Sequence, residues 1–290
     1  MKKKRRQPVK ALFISDVHIG IKYSQQKKLL EFLQRIDFQD LYIVGDFIDG
    51  WRLKRRWRWD LVDNQIVRLL LKRMEQGSRI HYAIGNHDEF WYDFLQDGEI
   101  RFGDLAIRDH FYLRNGDRKF LVLHGHQFDF FTRHASWAFA LGDMGYNLLM
   151  KLNYWIFRFQ RLFGMPRWSL SKFAKSRVKE AVSRSHRIAL KKYAVSKGCD
   201  GVIYGHTHLP DLLHDEDGFT FMNCGDWVED TTALTLGFDG AFRLVDLIAD
   251  GESWEDPYTG DVIHGEPVPE PMGQEPVRVA FWSLFGGGNA

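Results

Sequence analysis

The chain has 290 residues, of which 44% are hydrophobic and 27% charged, and its net charge is +2. A chain of this length and composition can bury a sizeable core and is typical of one large globular domain carrying an insertion. The two cysteines, Cys199 and Cys224, exclude a disulfide framework and a Cys-rich zinc module, and no stretch approaches the ~20 uncharged residues of a membrane span.

Basic and acidic residues are unevenly distributed along the chain. Residues 1–10 carry six Lys or Arg and no acidic residue, and residues 151–197 carry thirteen against Glu180 alone. Nine acidic residues and no Lys or Arg fall between positions 246 and 275. The small net charge therefore averages a basic middle segment and an acidic tail. Only four apolar residues follow the basic start, too few for a signal peptide, so we expect a cytoplasmic protein.

Short apolar runs that predict buried strands alternate with amphipathic segments in the first half of the chain. The strands are predicted over 11–15, 41–44, 80–84 and 120–123, with helices over 29–36 and 61–74. Strands return over 201–204, 219–222, 233–238 and 241–247. This alternation predicts an α/β sandwich.

Composition divides the chain into four parts. Residues 1–130 and 197–248 form the two parts of the core. Residues 131–196, rich in aromatic and basic residues with helical periodicity, are predicted to be a helical insertion or cap. Residues 249–290 hold five of the eight prolines and are predicted to be an extended acidic tail rich in Pro and Gly.

Polar residues cluster directly after five of the predicted strands. Their motifs are DVH (16–18), GD (45–46), GNHD (85–88), HGH (124–126) and GHTH (205–208). Loops at the carboxyl ends of parallel strands are where open α/β sheets place ligands. We therefore expect these five loops to meet at one edge of the fold.

This mixture of carboxylate, amide and imidazole, without thiolates, suits two divalent cations. Mn²⁺ fits best, and Fe²⁺ or Zn²⁺ are also compatible with the donor set. Two metal ions about 4 Å apart need a bridging carboxylate, and Asp46 is the candidate for that bridge.

The ordered motif set resembles the calcineurin-like metallophosphoesterase superfamily. The resemblance implies a four-layer αββα sandwich with a dinuclear metal site, in which a metal-bridging hydroxide attacks phosphorus. It implies that His87 acts as a general acid or phosphate stabiliser and that Asp88 orients it. It also implies two metal sites, the first held by Asp16, His18, Asp46 and His208, the second by Asp46, Asn86, His124 and His206.

A narrower resemblance extends over residues 8–248. GDFIDGW, GNHDEFWYDF, HGHQFD and NCGDWVED resemble the UDP-2,3-diacylglucosamine diphosphatase group of lipid A biosynthesis. This resemblance implies hydrolysis of UDP-2,3-diacylglucosamine to UMP and 2,3-diacylglucosamine 1-phosphate. Arg and Asp stand in the best-characterised branch where this chain has His87 and His126, which indicates a sister branch. We assign His126 to substrate binding.

The basic side chains of the insertion are candidates for substrate contact. Lys172, Lys175 and Lys179 are spaced to share one helix face, where a pyrophosphate could bind, although a solvated basic face has the same spacing. Basic and aromatic residues together favour docking to an anionic membrane surface, so we expect a peripheral protein on the inner membrane.

Two other classes of function stay open. The same scaffold could hydrolyse nucleic acid, a cyclic nucleotide or another nucleotide-linked lipid. Nucleic acid is disfavoured because the aromatic residues lie in amphipathic segments instead of forming exposed stacking platforms. A non-catalytic scaffold would predict gaps in the ligand set, and the motifs contain none.

Overall fold

Two β-sheets face each other across an apolar core. The computed structural model describes residues 7–21, 24–128, 170–228 and 231–247, without the side chains of Gln7 and of residues 170–182. The described strands are β1 (Gln7–Ile14), β2 (Ile36–Val44), β3 (Arg79–Ala83), β4 (Glu99–Phe102), β5 (Leu105–Arg108), β6 (His110–Asn115), β7 (Arg118–Leu123), β8 (Gly201–Tyr204), β9 (Asp211–His214), β10 (Thr220–Asn223), β11 (Thr232–Leu236) and β12 (Phe242–Asp246).

The helices lie between these strands along the chain. The described α-helices are α1 (Gln26–Arg35), α2 (Gly50–Arg55), α3 (Leu61–Glu75) and α4 (Leu170–Ser196), and two 3₁₀ turns span Glu89–Phe94 and His126–Phe128. Helix α3 begins with a reciprocal cap, in which Asp60 and Asp63 each accept a backbone N–H at the helix start.

Strand order brings the carboxyl ends of parallel strands together in each sheet. The first sheet has the order β12-β11-β1-β2-β3-β5-β4, in which β1, β2, β3 and β5 run parallel. The second has the order β6-β7-β8-β10-β9, in which β7, β8 and β10 run parallel. The loops that follow β1, β2, β3, β7 and β8 carry the five polar motifs.

Apolar side chains from both sheets fill the space between them. Phe13 and Tyr42 of the first sheet stack with ring centroids 4.8 Å apart, and Phe120 and Met222 of the second sheet belong to the same buried cluster. Burial of side chains of this size is the main source of the stability of such a core.

Helices cover the outer faces of the sheets. Helices α1 and α3 pack on each other and on the first sheet, and α4 packs on the second, where Leu190 and Ala194 join a buried cluster with Leu121 and Tyr204. The predicted four-layer αββα sandwich is therefore confirmed.

A buried arginine connects α3 to the start of β2. Arg73 donates to Asp37 at 2.7 Å and to the carbonyl oxygens of Leu33 and Ile36 at 3.1 and 2.7 Å. These bonds satisfy a charge that would otherwise be costly to bury.

The predicted strands agree with the described ones to within a few residues at each end, apart from 41–44 and 11–15, which begin earlier, at Ile36 and Gln7. The predicted helix over 29–36 lies instead at Gln26–Arg35, and Ile36 begins β2. Apolar runs did not predict β4, β5, β6 and β9. Apolar and charged residues alternate in β4, and β5, β6 and β9 each hold only two or three consecutive apolar residues.

The predicted insertion and tail fall largely outside the described residues. Of residues 131–196, the structure describes only α4, which is helical as predicted for that part. The predicted tail, 249–290, lies outside the described residues, and the four-part division of the chain stays a prediction.

Candidate metal centre

Backbone hydrogen bonds hold the motif loops against one another. Asp16 N donates to Gly45 O at 3.1 Å, and His18 N donates to Asp46 O at 2.9 Å. In the second sheet, Gly205 N donates to His124 O at 3.1 Å. The side chains that follow separate strands are thereby brought to one edge of the two sheets.

Several residues of this edge have a left-handed backbone, which is uncommon outside glycine. Among the described residues, five predicted metal ligands have φ between 52° and 66°, namely Asp16, His18, Asp46, His206 and His208. Such conformations persist where the surrounding structure holds them, and they concentrate at functional sites. The turns after β1, β2 and β8 thus aim their side chains at a cost in backbone energy.

A glycine allows two of the loops to approach closely. Gly45 has φ +82°, and a Cβ added there would overlap the ring of His124. The close approach lets His124 Nδ1 lie 2.9 Å from the carbonyl oxygen of Val44, which leaves Nε2 directed to the centre.

The first group of possible metal ligands contains Asp16, His18 and His208. His208 Nε2 lies 3.2 Å from Asp16 Oδ1, and His18 Nε2 lies 3.9 Å from the same oxygen. Asp16 is fully buried and His18 is nearly so. Ligand atoms converging at these distances can hold a metal ion.

The second group contains Asp16, Asp46 and His124, all buried. His124 Nε2 lies 3.4 Å from Asp46 Oδ2 and 3.2 Å from Asn86 Oδ1. Asp46 Oδ2 also lies 3.8 Å from His18 Nε2, so it contacts a histidine of each predicted ligand set.

The charges of these groups are strongly coupled. Burial alone would raise the pKa of Asp16 and of Asp46, but the imidazoles of His124 and His18 near both, and of His208 near Asp16, lower the two pKa values. Burial would in turn lower the pKa of the imidazoles, and the carboxylates instead raise it to about 9 for His124 and about 10 for His208. Binding of a metal ion at these groups would therefore release protons.

His206 and His126 lie at the rim of the second group. His206 N donates to Asp16 Oδ2 at 3.0 Å, and the His206 ring centroid is 5.2 Å from that of His124. The His126 ring centroid is 5.5 Å from that of His124. Burial and the charges of the two neighbouring histidines lower the pKa of His126 to about 4, which favours its neutral form.

His87 faces Asp49 and Trp51. Its Nδ1 lies 3.2 Å from Asp49 Oδ2, and its ring centroid is 4.3 Å from that of Trp51. Burial would lower the pKa of His87, but the carboxylates of Asp49 and Asp46 raise it. His87, Asp49 and His18 also form a third group that could hold a metal ion.

Asp88 has a different role from the predicted one. It accepts from Gly85 N at 2.5 Å, from Phe47 N at 3.0 Å and from the hydroxyl of Tyr82. Burial, followed by the charge of Asp46, raises its pKa to about 6. The expectation that Asp88 orients His87 is therefore wrong: its oxygens hold the loops after β2 and β3, and Asp49 lies against His87 instead.

Two further acidic residues contact the predicted ligands. Asp226, fully buried in the NCGDW motif, has Oδ2 3.3 Å from His208 Nδ1. Asp49 lies against His87 and has Oδ2 3.7 Å from His18 Nδ1. Asp226 and Asp49 each stand next to a glycine in a motif that is visible in the sequence. The neighbouring sequence does not indicate which histidine each carboxylate contacts.

Lys172, Lys175 and Lys179, predicted to bind substrate, lie on α4, and their side chains are outside the description. Within the described residues, a cavity of about 940 Å³ opens beside the metal-ligand groups, and His18, His87 and His208 line it together with the segment that follows Asp49. None of the described helices combines the length and apolar character needed to cross a membrane.

The chain is similar to several known proteins. A family model described as calcineurin-like phosphoesterase matches residues 9–210. The chain is 28% identical to a UDP-2,3-diacylglucosamine hydrolase of Neisseria meningitidis over 80% of this chain and 95% of the relative, and 27% identical to that of Neisseria gonorrhoeae over 79% and 95%. Among solved structures, Vps29 of Chaetomium thermophilum is similar with a TM-score of 0.41 and 10% identity, over 83% of this chain and 95% of that one.

Proposed function

Because the chain belongs to the calcineurin-like phosphoesterase family and is a metal-dependent phosphoester hydrolase, we propose that it hydrolyses the pyrophosphate of UDP-2,3-diacylglucosamine. The products are UMP and 2,3-diacylglucosamine 1-phosphate. The Neisseria relatives that carry this activity in their names match the chain over 95% of their own length, which supports the substrate.

The observation that carries the chemistry is the position of Asp46. Its Oδ2 lies 3.4 Å from His124 Nε2 and 3.8 Å from His18 Nε2, as a carboxylate between two ions would require. We assign Asp16, His18, Asp46 and His208 to one ion and Asp46, Asn86, His124 and His206 to the other.

The residues present fit two divalent cations. Two buried carboxylates would repel each other without positive charge between them, and Asp16 Oδ1 and His18 Nδ1 are buried without a hydrogen bond of good geometry. Oxygen and imidazole donors suit Mn²⁺, with Fe²⁺ and Zn²⁺ as competitors. Once bound, the cations supply Lewis acidity that activates water and offsets the charge developing on the phosphoryl oxygens.

Among the side chains of the protein, His87 is the proton donor in the reaction. It lies at the cavity wall, with Nδ1 3.2 Å from Asp49 Oδ2 and Nε2 3.9 Å from Asp46 Oδ2. The two carboxylates orient the ring, and Nε2 donates to a phosphoryl or leaving-group oxygen. Asp88 supports this step indirectly by holding the loop that carries Asn86 and His87.

The surroundings of the centre bind the rest of the substrate. His126, which is neutral and adjacent to His124, contacts the substrate through hydrogen bonds. Lys172, Lys175 and Lys179 on α4 provide positive charge. A diacylated substrate resides in a lipid phase, so the protein works peripherally on the anionic inner face of the cytoplasmic membrane.

The test is Mn²⁺-dependent release of UMP from detergent-dispersed UDP-2,3-diacylglucosamine, with bis-p-nitrophenyl phosphate as a second substrate. UMP release at a rate that requires Asp46 supports both substrate and centre. Hydrolysis of bis-p-nitrophenyl phosphate alone would retain the phosphoesterase and discard this lipid.

A further inference from the structure

The cavity beside the metal-ligand groups has two walls of different chemistry. His18, His87 and His208 line the wall at the predicted metal centre. The segment that runs from Arg52 to Arg58 through α2 lines the other, with four arginines and Trp57. A cavity of about 940 Å³ is near the upper end of the usual range for ligand sites and exceeds what one phosphate group needs.

Three of these arginines, Arg52, Arg55 and Arg56, line one wall of the cavity and are called here the arginine face. Arg52 and Arg55 are three residues apart within α2, which places them on the same side of the helix, and Arg56 follows the end of the helix with an extended backbone. All three line the cavity, whereas Lys54 of the same helix does not. Basic residues near a helix carboxyl end also favour the helix dipole, but that benefit applies to Lys54 equally and does not explain the shared face.

The acidic residues of the cavity do not neutralise this face. Asp60 pairs with Arg58 at 2.9 Å. Asp49 accepts from the backbone N–H of Arg52 at 2.8 Å and lies against His87. Within the described ranges, no ion pair joins the guanidinium of Arg52, Arg55 or Arg56 to an acidic side chain.

Backbone contacts fix this helix relative to the metal centre. Gly50 N donates to His87 O at 2.9 Å, and Asp49 N donates to Ile19 O at the same distance. A Cβ added at Gly50 would lie 2.8 Å from the Phe90 ring and 2.9 Å from His87 O, so glycine alone permits the approach. The arginine face is thus held beside His87.

We propose that Arg52, Arg55 and Arg56 form a subsite for the second phosphate of a diphosphate substrate, beside the phosphate that is cleaved at the metal centre. A guanidinium matches phosphate with two parallel hydrogen bonds, and three uncompensated guanidiniums on one face exceed what a single-phosphate ester requires. The subsite rests on the proposed phosphoester hydrolysis, and it makes the enzyme prefer diphosphate diesters to simple phosphodiesters.

The test compares binding of UDP-N-acetylglucosamine and UMP to the Mn²⁺-loaded full chain by isothermal titration calorimetry. The variants are Arg55→Gln/Arg56→Gln and, as a matched control on the same helix, Lys54→Gln. The wild type and Lys54→Gln should bind the diphosphate more tightly than UMP. The double variant should lose about tenfold or more of that preference, because a hydrogen bond to a charged group corresponds to at least that factor.

The subsite would be overturned if the preference for the diphosphate over UMP were unchanged in the double variant. The same holds if that preference were equally reduced in Lys54→Gln or absent in the wild type. Because this readout is binding, it is independent of whether UDP-2,3-diacylglucosamine is cleaved. In turnover, the double variant should keep hydrolysis of bis-p-nitrophenyl phosphate within about threefold while losing diphosphate hydrolysis by about tenfold. Equal losses on both substrates would instead mean damage to the metal centre and would also overturn it.

Discussion

His87 Nδ1 lies 3.2 Å from Asp49 Oδ2, and the same carboxylate accepts the backbone N–H of Arg52 at the start of α2. One aspartate therefore holds the proposed proton donor and begins the helix that carries the arginine face. This arrangement connects the chemistry at the metal centre with the cavity beside it.

Asp49→Asn should disturb the orientation of His87 while α2 stays folded. Asparagine remains a good helix N-cap, so α2 should persist, but it lacks the charge that stabilises and orients the imidazole. We expect kcat to fall by about 10–100-fold with little change in melting temperature. The matched control is Asp117→Asn at an exposed turn. A kcat within threefold of the wild type would contradict the role of Asp49.

Asp46→Ala should remove metal ions and activity together. Because Asp46 contacts a histidine of each proposed ligand set, its loss leaves both sites without their shared oxygen. A dinuclear site should hold about two metal ions per chain. Metal analysis of the dialysed Asp46→Ala variant should find far fewer. Asp117→Ala should retain full occupancy. An active variant with both ions bound would refute the bridging assignment.

His87→Ala should keep the metal ions and lose most turnover. A general acid is worth about 10²–10⁴-fold in rate, so kcat should fall within that range at unchanged metal content. The measurement pairs metal analysis with steady-state kinetics. Loss of one ion would show instead that His87 is a ligand, as its grouping with His18 and Asp49 allows.

Asp63 should make stability depend on pH. Burial, followed by the charge of Asp60, raises the pKa of Asp63 to about 6, although its oxygen accepts Asp60 N at 2.7 Å. The folded state holds a proton that the unfolded state releases near pH 4, so this contribution is complete below about pH 4, falls as pH rises to about 6 and is lost above that.

The melting temperature of Asp63→Asn should therefore decrease less than that of the wild type between about pH 4.5 and 6.5. Asparagine can still accept Asp60 N, which preserves the cap. Asp117→Asn should follow the wild type, since Asp117 is exposed. Parallel curves for Asp63→Asn and the wild type would show that Asp63 does not titrate in this interval.

The apolar runs and the motif order were sufficient to predict the sandwich and the meeting of five loops. A run such as 201–204 is buried on both faces, and its signal is local, so the strand is found with the same bounds in the structure. Strands β4, β5, β6 and β9 lack that signal, because their apolar runs are short or interrupted by charged residues and their pairing depends on neighbouring strands.

The types of metal ligand at the centre could also be predicted from the sequence. Carboxylate, amide and imidazole groups after parallel strands limit the metals that bind there to a few divalent cations. Which carboxylate lies against which histidine was decided only by tertiary structure. Asp88 is next to His87 in sequence, yet its oxygens bond the loops after β2 and β3, and Asp49 reaches His87 across 38 residues of chain. Such contacts between loops are set by sheet packing and backbone hydrogen bonds, and local sequence patterns do not encode them.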